Sequence, residues 1–155
     1  MKNWLTWLQQ ILNRNKLSRS LVIGGFCLAL LGFADAAYLS FEKLSGNVPP
    51  CIITSGCDTV TNSSYSYFGP IPVAVAGALF YLTLLILFFS ALESKDTKWA
   101  VLALQLTPCG FAFSLYFLFI QAFVLEAYCI YCLGSLATST TLFSLAIYAK
   151  IKKQI

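Results

Sequence analysis

Two cysteines at the start of the last long apolar segment carry the clearest chemical signal in this chain. Cys129 and Cys132 form a Cys-x-x-Cys motif, with Ile130 and Tyr131 between them. Residues three apart on a helix lie on one face, so these thiols can form or break a disulfide with little backbone movement. At a helix N-terminus, the helix dipole and unpaired N–H groups also favour the thiolate. The motif therefore predicts a redox-active pair.

A second pair, Cys51 and Cys57, lies in the longest loop of the chain. Four cysteines divided in this way can pass electrons by thiol–disulfide exchange. Two structural disulfides are an alternative, although a Cys-x-x-Cys disulfide closes a small ring and constrains little chain entropy. A zinc site built from the same four thiolates is a second alternative, which an oxidising compartment disfavours, and we predict no metal.

The composition is that of a membrane protein. The chain has 155 residues, of which 59% are hydrophobic and 10% charged, and its mean hydropathy is +0.78. It contains no histidine, which removes the commonest general base and the commonest metal ligand. Nothing predicts a nucleic-acid partner. Any chemistry must rest on cysteines, carboxylates, hydroxyl groups and a bound cofactor.

Four apolar segments are long enough to cross a hydrocarbon core of about 30 Å. They cover residues 21–41, 71–92, 99–123 and 128–149. We expect a single all-α domain over residues 1–155, a four-transmembrane-helix bundle with an outer loop at 42–70. Pro72 suits the first turn of the second span, and Pro108 and Gly110 predict a kink in the third.

Residues 1–19 are basic and place Trp4, Trp7 and Leu8 at helical spacing. They predict an amphipathic helix in the membrane interface, or else a charged flank of the first span. Nine of the ten Lys and Arg residues fall on the side of the two termini, and only Lys43 falls on the other. The positive-inside rule then predicts cytoplasmic termini, with the loop and both cysteine pairs at the outer face.

These features together resemble the vitamin K epoxide reductase family of membrane thiol oxidoreductases. The resemblance covers most of the chain. It rests on both cysteine pairs and on the matching residues Ser63, Phe68, Gly69, Pro72, Gly77, Tyr81, Ser114, Tyr116 and the run Phe123-Val124-Leu125. It implies a four-helix bundle that encloses a quinone beneath a capping loop.

The resemblance also implies a division of labour among the cysteines. Cys51 would exchange with the thiols of a partner, Cys57 would pass electrons to Cys129, and Cys132 would lie against the quinone. Ser63 would hydrogen-bond a quinone oxygen, and Phe68 and Tyr116 are further candidates to bind the ring. Ubiquinone, menaquinone, phylloquinone and plastoquinone all remain open.

Aromatic residues of the third span are candidates for lining such a pocket, although more than half are expected to face lipid. They are Phe111, Phe113, Tyr116, Phe117 and Phe119.

Two departures from the family pattern bear on function. Leu136 stands where the animal enzymes that recycle vitamin K carry a tyrosine, which weakens the prediction of epoxide reduction. Many prokaryotic relatives carry a fused thioredoxin-like domain, whereas this chain ends at Ile155. We therefore expect a separate thioredoxin-fold partner and the oxidation of its thiols, with vitamin K quinone or epoxide reduction, or a non-enzymatic four-span scaffold, as alternatives.

Asp35 and two further cysteines remain unassigned. An ionisable residue in a span is a functional candidate by default, but Asp35 lies near the outer end of the first span and can also simply reach the interface. Its role as a proton relay stays open. Cys27 and Cys109 lie inside spans, where a single thiol is typically a small apolar filler.

Overall fold

The computed structural model describes residues 17–47, 49–50, 56–94 and 96–152. Most of the predicted N-terminal helix, residues 1–19, lies outside these ranges, and so does Cys51. Four long helices follow one another along the described chain. They are α1 (Arg19–Leu44), α3 (Val73–Ser94), α4 (Thr97–Phe119) and α5 (Ile130–Ile151), while a short helix α2 (Cys57–Asn62) lies in the loop.

The four long helices form a ring-shaped bundle. Helix α1 packs against α3 and α5, and helix α4 packs against the same two helices. Each of the four is long and apolar enough to span a membrane. The prediction of an all-α membrane bundle is thereby confirmed.

Small residues let α1 and α3 approach closely. Gly25 lies against the ring of Phe88, and a Cβ added at Gly25 would stand 2.5 Å from its Cζ. Gly32 lies in the same way against the ring of Tyr81. Because lipid is as apolar as the helix surfaces, close packing of this kind is the main attraction between spans. Phe88 and Leu84 are fully buried at this contact.

The second span begins later than predicted. A two-residue strand β1 (Tyr67–Phe68) pairs antiparallel with β2 (Ile71–Pro72), and Gly69 supplies the positive φ of 64° in the turn between them. Pro72 is paired with Tyr67 in this ladder. The prediction that Pro72 lies in the first helical turn is therefore wrong by one residue, and α3 begins at Val73.

The third span departs from a regular helix at its C-terminal end. Helix α4 continues through Pro108, and a π-helical turn covers Ile120–Val124. Gly110 faces the ring of Phe80 on α3, with an added Cβ 2.6 Å from the ring. The predicted kink at Pro108 stays a prediction. The π turn, which the sequence did not indicate, places a polar side chain beside the cysteine motif.

Candidate functional site

The Cys-x-x-Cys motif lies where helix α5 begins. Cys129 is the N-cap, with extended backbone angles φ −102° and ψ 122°, and Cys132 is the third residue of the helix. Both are free thiols. Cys129 is 0% exposed, whereas Cys132 is partly buried and lines a cavity in the bundle. The two thiols thus have different surroundings although they are three residues apart.

The turn that precedes Cys129 is built on Gln121. In the π turn, the carbonyl of Gln121 accepts the N–H of Ala127 at 3.1 Å, and the positive φ of 47° at Glu126 reverses the chain. The side chain of Gln121 is 1% exposed, and its Oε1 accepts the backbone N–H of Cys129 at 2.9 Å. One residue therefore holds both ends of the segment that carries Cys129.

The loop brings Cys57 to the same place. Cys57 is 0% exposed and forms one buried cluster with Val60 and Cys129, against which Cys132 packs. Gly56 permits this approach, since a Cβ added there would lie 2.7 Å from both the backbone nitrogen and the carbonyl oxygen of Tyr128. Cys57 is disulfide-bonded. The structure thus places an oxidised loop cysteine beside a reduced helix pair.

The surroundings of Cys129 favour its thiolate. A hydrogen bond from the Cys132 thiol is the main cause that lowers the pKa of Cys129 to about 7, and the N–H groups of Tyr131 and Cys132 act in the same direction. Burial and the charge of Asp35 oppose this shift. No side-chain hydrogen bond of strict capping geometry forms at Cys129. The N–H groups therefore act on its thiol as nearby dipoles, and the sequence-based expectation of a low pKa at the helix start agrees with this effect.

A cavity of about 370 Å³ lies between the helices below this cluster. Its apolar lining includes Leu39, Phe80, Phe113, Phe117, Ile120 and Leu125. Its polar lining includes Asp35, Thr61, Ser63, Gln121, Cys132 and Ser135. The volume lies in the range of small-molecule sites, which typically combine apolar walls with a few polar groups.

Several residues that the sequence resemblance singled out line the cavity. They are Ser63, Pro72, Gly77, Tyr81, Ser114 and Cys132. The Oγ of Ser63 donates to the carbonyl of Val60 at 2.8 Å. Of the five aromatic candidates on the third span, Phe113 and Phe117 reach the cavity.

Tyr116 lies elsewhere. It is 53% exposed and packs edge-on against Phe117, and it is absent from the cavity lining. Residue 116 is rotated around α4 by about 80° from the direction midway between residues 113 and 117, and this turns its side chain to one side of the cavity. The side chain of Phe68 lies outside the described part of the chain.

Asp35 and Cys109 also reach the cavity, whereas Cys27 is exposed on the helix surface. Asp35 is partly buried, and its Oδ1 would lie 3.9 Å from a Cβ added at Gly134 on α5. Among the cavity-lining residues that the structure describes, Asp35 is the one carboxyl group. It therefore faces the bundle interior, as an ionisable residue in a span is expected to do.

Two polar contacts fix helix α5 within the bundle. The hydroxyl of Tyr81 donates to the carbonyl of Ser135 at 3.1 Å and lies 3.1 Å from its Oγ. Further along α5, Ser139 Oγ donates to Ser114 Oγ at 2.8 Å. These bonds tie α5 to α3 and to α4 within two turns of Cys132.

Lys43, in the last turn of α1, fastens the loop helix α2 to α1. Its Nζ donates to the carbonyl of Thr61 and to Asn62 Oδ1, the latter at 3.3 Å, and lies 4.8 Å from the ring centre of Tyr67. The first of these contacts falls at the C-terminal end of α2, where a cation also interacts favourably with the helix dipole. Lys43 is the one basic residue that the sequence assigned to the side of the loop, and in the structure it holds α2 in place.

Gln121 and Ser135 were missed by the reasoning from sequence. A polar residue within a span is expensive unless it has a partner, and this rule could have drawn attention to Gln121. For Ser135, the spacing of three from Cys132 predicts the same helix face. Neither residue's partner can be read from the sequence, because both depend on contacts between helices.

A comparison with known protein families agrees with this geometry. The family model described as Vitamin K epoxide reductase family matches residues 25–147, which is most of the chain and includes both cysteine pairs and every cavity-lining residue named above. Members of this family are membrane oxidoreductases associated with quinones. The chain therefore belongs to the vitamin K epoxide reductase family.

Proposed function

We propose that this protein is a quinone-dependent thiol oxidase that reoxidises a thioredoxin-fold partner on the outer side of the membrane and so drives disulfide formation. The observation that carries the proposal is the shared burial of Cys57 and Cys129 in one cluster, with Cys132 at the edge of an apolar cavity. This arrangement connects a thiol-exchange site to a site for a lipid-soluble acceptor.

The first transfer takes place between the partner and the loop pair. A partner thiolate attacks Cys51 of a Cys51–Cys57 disulfide, and Cys57 leaves as a thiolate. A second partner thiol then resolves the mixed disulfide. The partner is oxidised, and the loop pair gains two electrons and two protons.

The second transfer takes place inside the buried cluster. The Cys57 thiolate attacks Cys129 of a Cys129–Cys132 disulfide, and Cys132 leaves as a thiolate. Cys51 then attacks Cys57, which restores the loop disulfide and releases Cys129.

The cavity has the chemistry that a quinone head group requires. Phe80, Phe113 and Phe117 provide flat apolar walls, and Ser63 and Ser135 contribute hydroxyls to the lining. The Ser63 hydroxyl would have to turn from the carbonyl of Val60 to donate to a quinone oxygen. A bound quinone would supply a two-electron acceptor, which leaves as the quinol after taking up two protons. Closure of the Cys129–Cys132 disulfide delivers the two electrons.

The chain must also supply the protons. Because Cys129 is partly ionised near neutral pH, the reduced pair does not always hold both protons that a quinol needs. Asp35 lines the same cavity and is the one carboxyl group among the described lining residues. We assign to its Oδ atoms the supply of the second proton.

The outward orientation is part of the proposal and rests on the distribution of Lys and Arg. Nine of the ten basic residues lie on the side of the termini. The cysteine cluster lies at the opposite ends of the helices, beside Lys43. An oxidising exterior is the compartment in which a disulfide-forming relay works.

The test is a quinone-reduction assay with purified protein. A reduced thioredoxin-fold dithiol protein and a short-chain ubiquinone or menaquinone are mixed, and quinol formation is followed by absorbance. We expect catalytic quinol formation that Cys132→Ala abolishes and that the matched lipid-facing variant Cys27→Ala leaves unchanged. No quinol from any dithiol donor would favour the scaffold alternative, and turnover of a vitamin K epoxide with a small dithiol alone would favour the epoxide-reductase alternative.

A further inference from the structure

Gln121 is a buried polar residue of the third span that takes no part in the thiol–disulfide exchange described above. Its Oε1 lies 2.9 Å from the backbone nitrogen of Cys129, and its own carbonyl accepts the N–H of Ala127. The side-chain assignment is unambiguous, because a backbone N–H can only donate and the amide must therefore present its oxygen. An amide side chain in a span is stable only when its polar atoms have partners.

The geometry of Cys129 depends on this contact. Cys129 has the extended backbone of an N-cap, so its own N–H has no acceptor within helix α5. Gln121 provides the acceptor from another helix and fixes the plane of the peptide bond that enters Cys129. The direction of the Cys129 side chain relative to Cys57 follows from that plane.

The π turn is what makes the contact possible. In a regular α-helix a carbonyl accepts the N–H four residues later, whereas in the π turn at Ile120–Val124 the carbonyl of Ile120 accepts the N–H of Leu125, five residues later. This wider turn lets Gln121 lie beneath the segment that returns to Cys129. π-helical turns are frequently found at functional sites. The π turn and the buried amide of Gln121 therefore both act on the backbone of Cys129.

We propose that Gln121 is a positioning residue that holds Cys129 in the orientation in which the Cys57 thiolate can attack its sulfur. This inference deepens the proposed function and rests on it. Gln121 acts through the backbone of Cys129 and takes no part in the bond exchange itself. The exchange remains the attack of Cys57 on Cys129 with departure of Cys132, which is balanced without any further reactant.

The first test is a disulfide trap. In a Cys132→Ala background the thiol that would displace Cys57 from Cys129 is absent, so mild oxidation should leave a Cys57–Cys129 disulfide, quantified by peptide mapping on non-reduced protein. We expect Gln121→Asn, which draws the amide oxygen back by one methylene, to reduce the yield by about five-fold or more, as for a lost buried hydrogen bond of about 1 kcal/mol. Gln121→Glu keeps an oxygen at the same distance and should restore most of the yield.

The matched control is Gln105→Asn on the same helix, where the side chain is exposed. It should leave the yield unchanged. Thermal unfolding of each variant identifies any that fail to fold, and Gln121→Met then serves as a second variant of similar length without an acceptor. An unchanged yield in folded Gln121→Asn or Gln121→Met would overturn the proposal.

The second test needs neither quinone nor partner. The pH at which Cys129 is half alkylated is measured on reduced Cys57→Ser protein, with the site resolved by fragment-ion mass spectrometry. Because the cause of the low pKa is the position of the thiol beside Cys132 and the helix N-terminus, Gln121→Asn should move the half-point upward by about half a unit or more. An unmoved half-point contradicts positioning. A moved half-point together with no quinol formation by the unaltered protein would leave Gln121 as a positioning residue and refute only the proposed oxidase.

Discussion

Gly56 lies directly against the backbone of Tyr128, and this contact is what seats Cys57 beside Cys129. A Cβ at residue 56 would stand 2.7 Å from two backbone atoms of Tyr128, which cannot rotate away as a side chain could. The φ of Gly56 is −91°, a value that any residue adopts. Glycine is therefore required here by space and not by backbone conformation.

Gly56→Ala should separate the two buried cysteines without unfolding the bundle. We expect the yield of the Cys57–Cys129 disulfide in a Cys132→Ala background to fall about ten-fold, because closure of a disulfide tolerates little added Cα separation. The control is Gly24→Ala in α1, where an added Cβ has no neighbour within 4 Å. An equal yield in the two variants would show that residue 56 does not set the distance.

The reactivity of Cys129 should depend on pH with a half-point near 7. The hydrogen bond from Cys132 lowers the pKa of Cys129 to about 7, so the thiolate is lost as the pH falls through that value and is fully present well above it. Alkylation of reduced protein, followed at Cys129 by mass spectrometry from pH 5 to 9, measures this directly. Cys132→Ala removes the main cause and should move the half-point upward toward the ordinary thiol value of about 8.5. A half-point already at the ordinary value in the unaltered protein would contradict the geometry.

The bond of Tyr81 to Ser135 should stabilise the packing of helix α5 by about 1 kcal/mol. Tyr81→Phe removes only the hydroxyl and leaves the ring against Gly32. We expect a lower midpoint of thermal unfolding in detergent and an altered quinone affinity, since Ser135 lines the cavity. Tyr148→Phe, on the exposed surface of the same helix bundle, is the control and should change neither. Equal midpoints for the two variants would mean that the Tyr81 hydroxyl is not a stabilising contact.

Asp35→Asn should slow quinol formation and leave the thiol exchange intact. The substitution preserves size but removes the proton that the cavity carboxyl would supply, and removal of a general acid typically costs about a hundred-fold or more. Quinol formation in single turnover from the pre-reduced protein measures the affected step. The rate of Cys57-to-Cys129 transfer, followed by disulfide mapping, should be unchanged. Equal loss in both steps would instead mark Asp35 as a structural residue.

The sequence predicted the parts of the fold that depend on local pattern. Span lengths follow from apolar runs, and the placement of Cys129 at a helix start was anticipated by the motif itself. Contacts between elements were not accessible in this way. Gln121 bonds to a residue eight positions later through a π turn, and Tyr81 reaches across 54 positions to Ser135.

Tyr116 is a residue that the sequence placed in the site but that lies outside the cavity. Its place in the family pattern made it a candidate for the quinone site, but the rotation of α4 places Phe113 and Phe117 at the cavity and leaves Tyr116 outside it. In a span that is apolar on all faces, hydrophobic periodicity does not reveal which face is turned inward. Only the packing of neighbouring helices decides it.

The measurement that tests the relay most directly is the disulfide map of Cys132→Ala protein isolated under mild oxidation without a dithiol donor. The relay predicts that Cys57 is found bonded to Cys129, because Cys129 can attack the loop disulfide at Cys57 with departure of Cys51, and the Cys132 thiol that would then displace Cys57 from Cys129 is missing. Cys27 and Cys109 should remain free. A map in which Cys129 is bonded to Cys51, or in which no bond joins the loop to helix α5, would contradict the account.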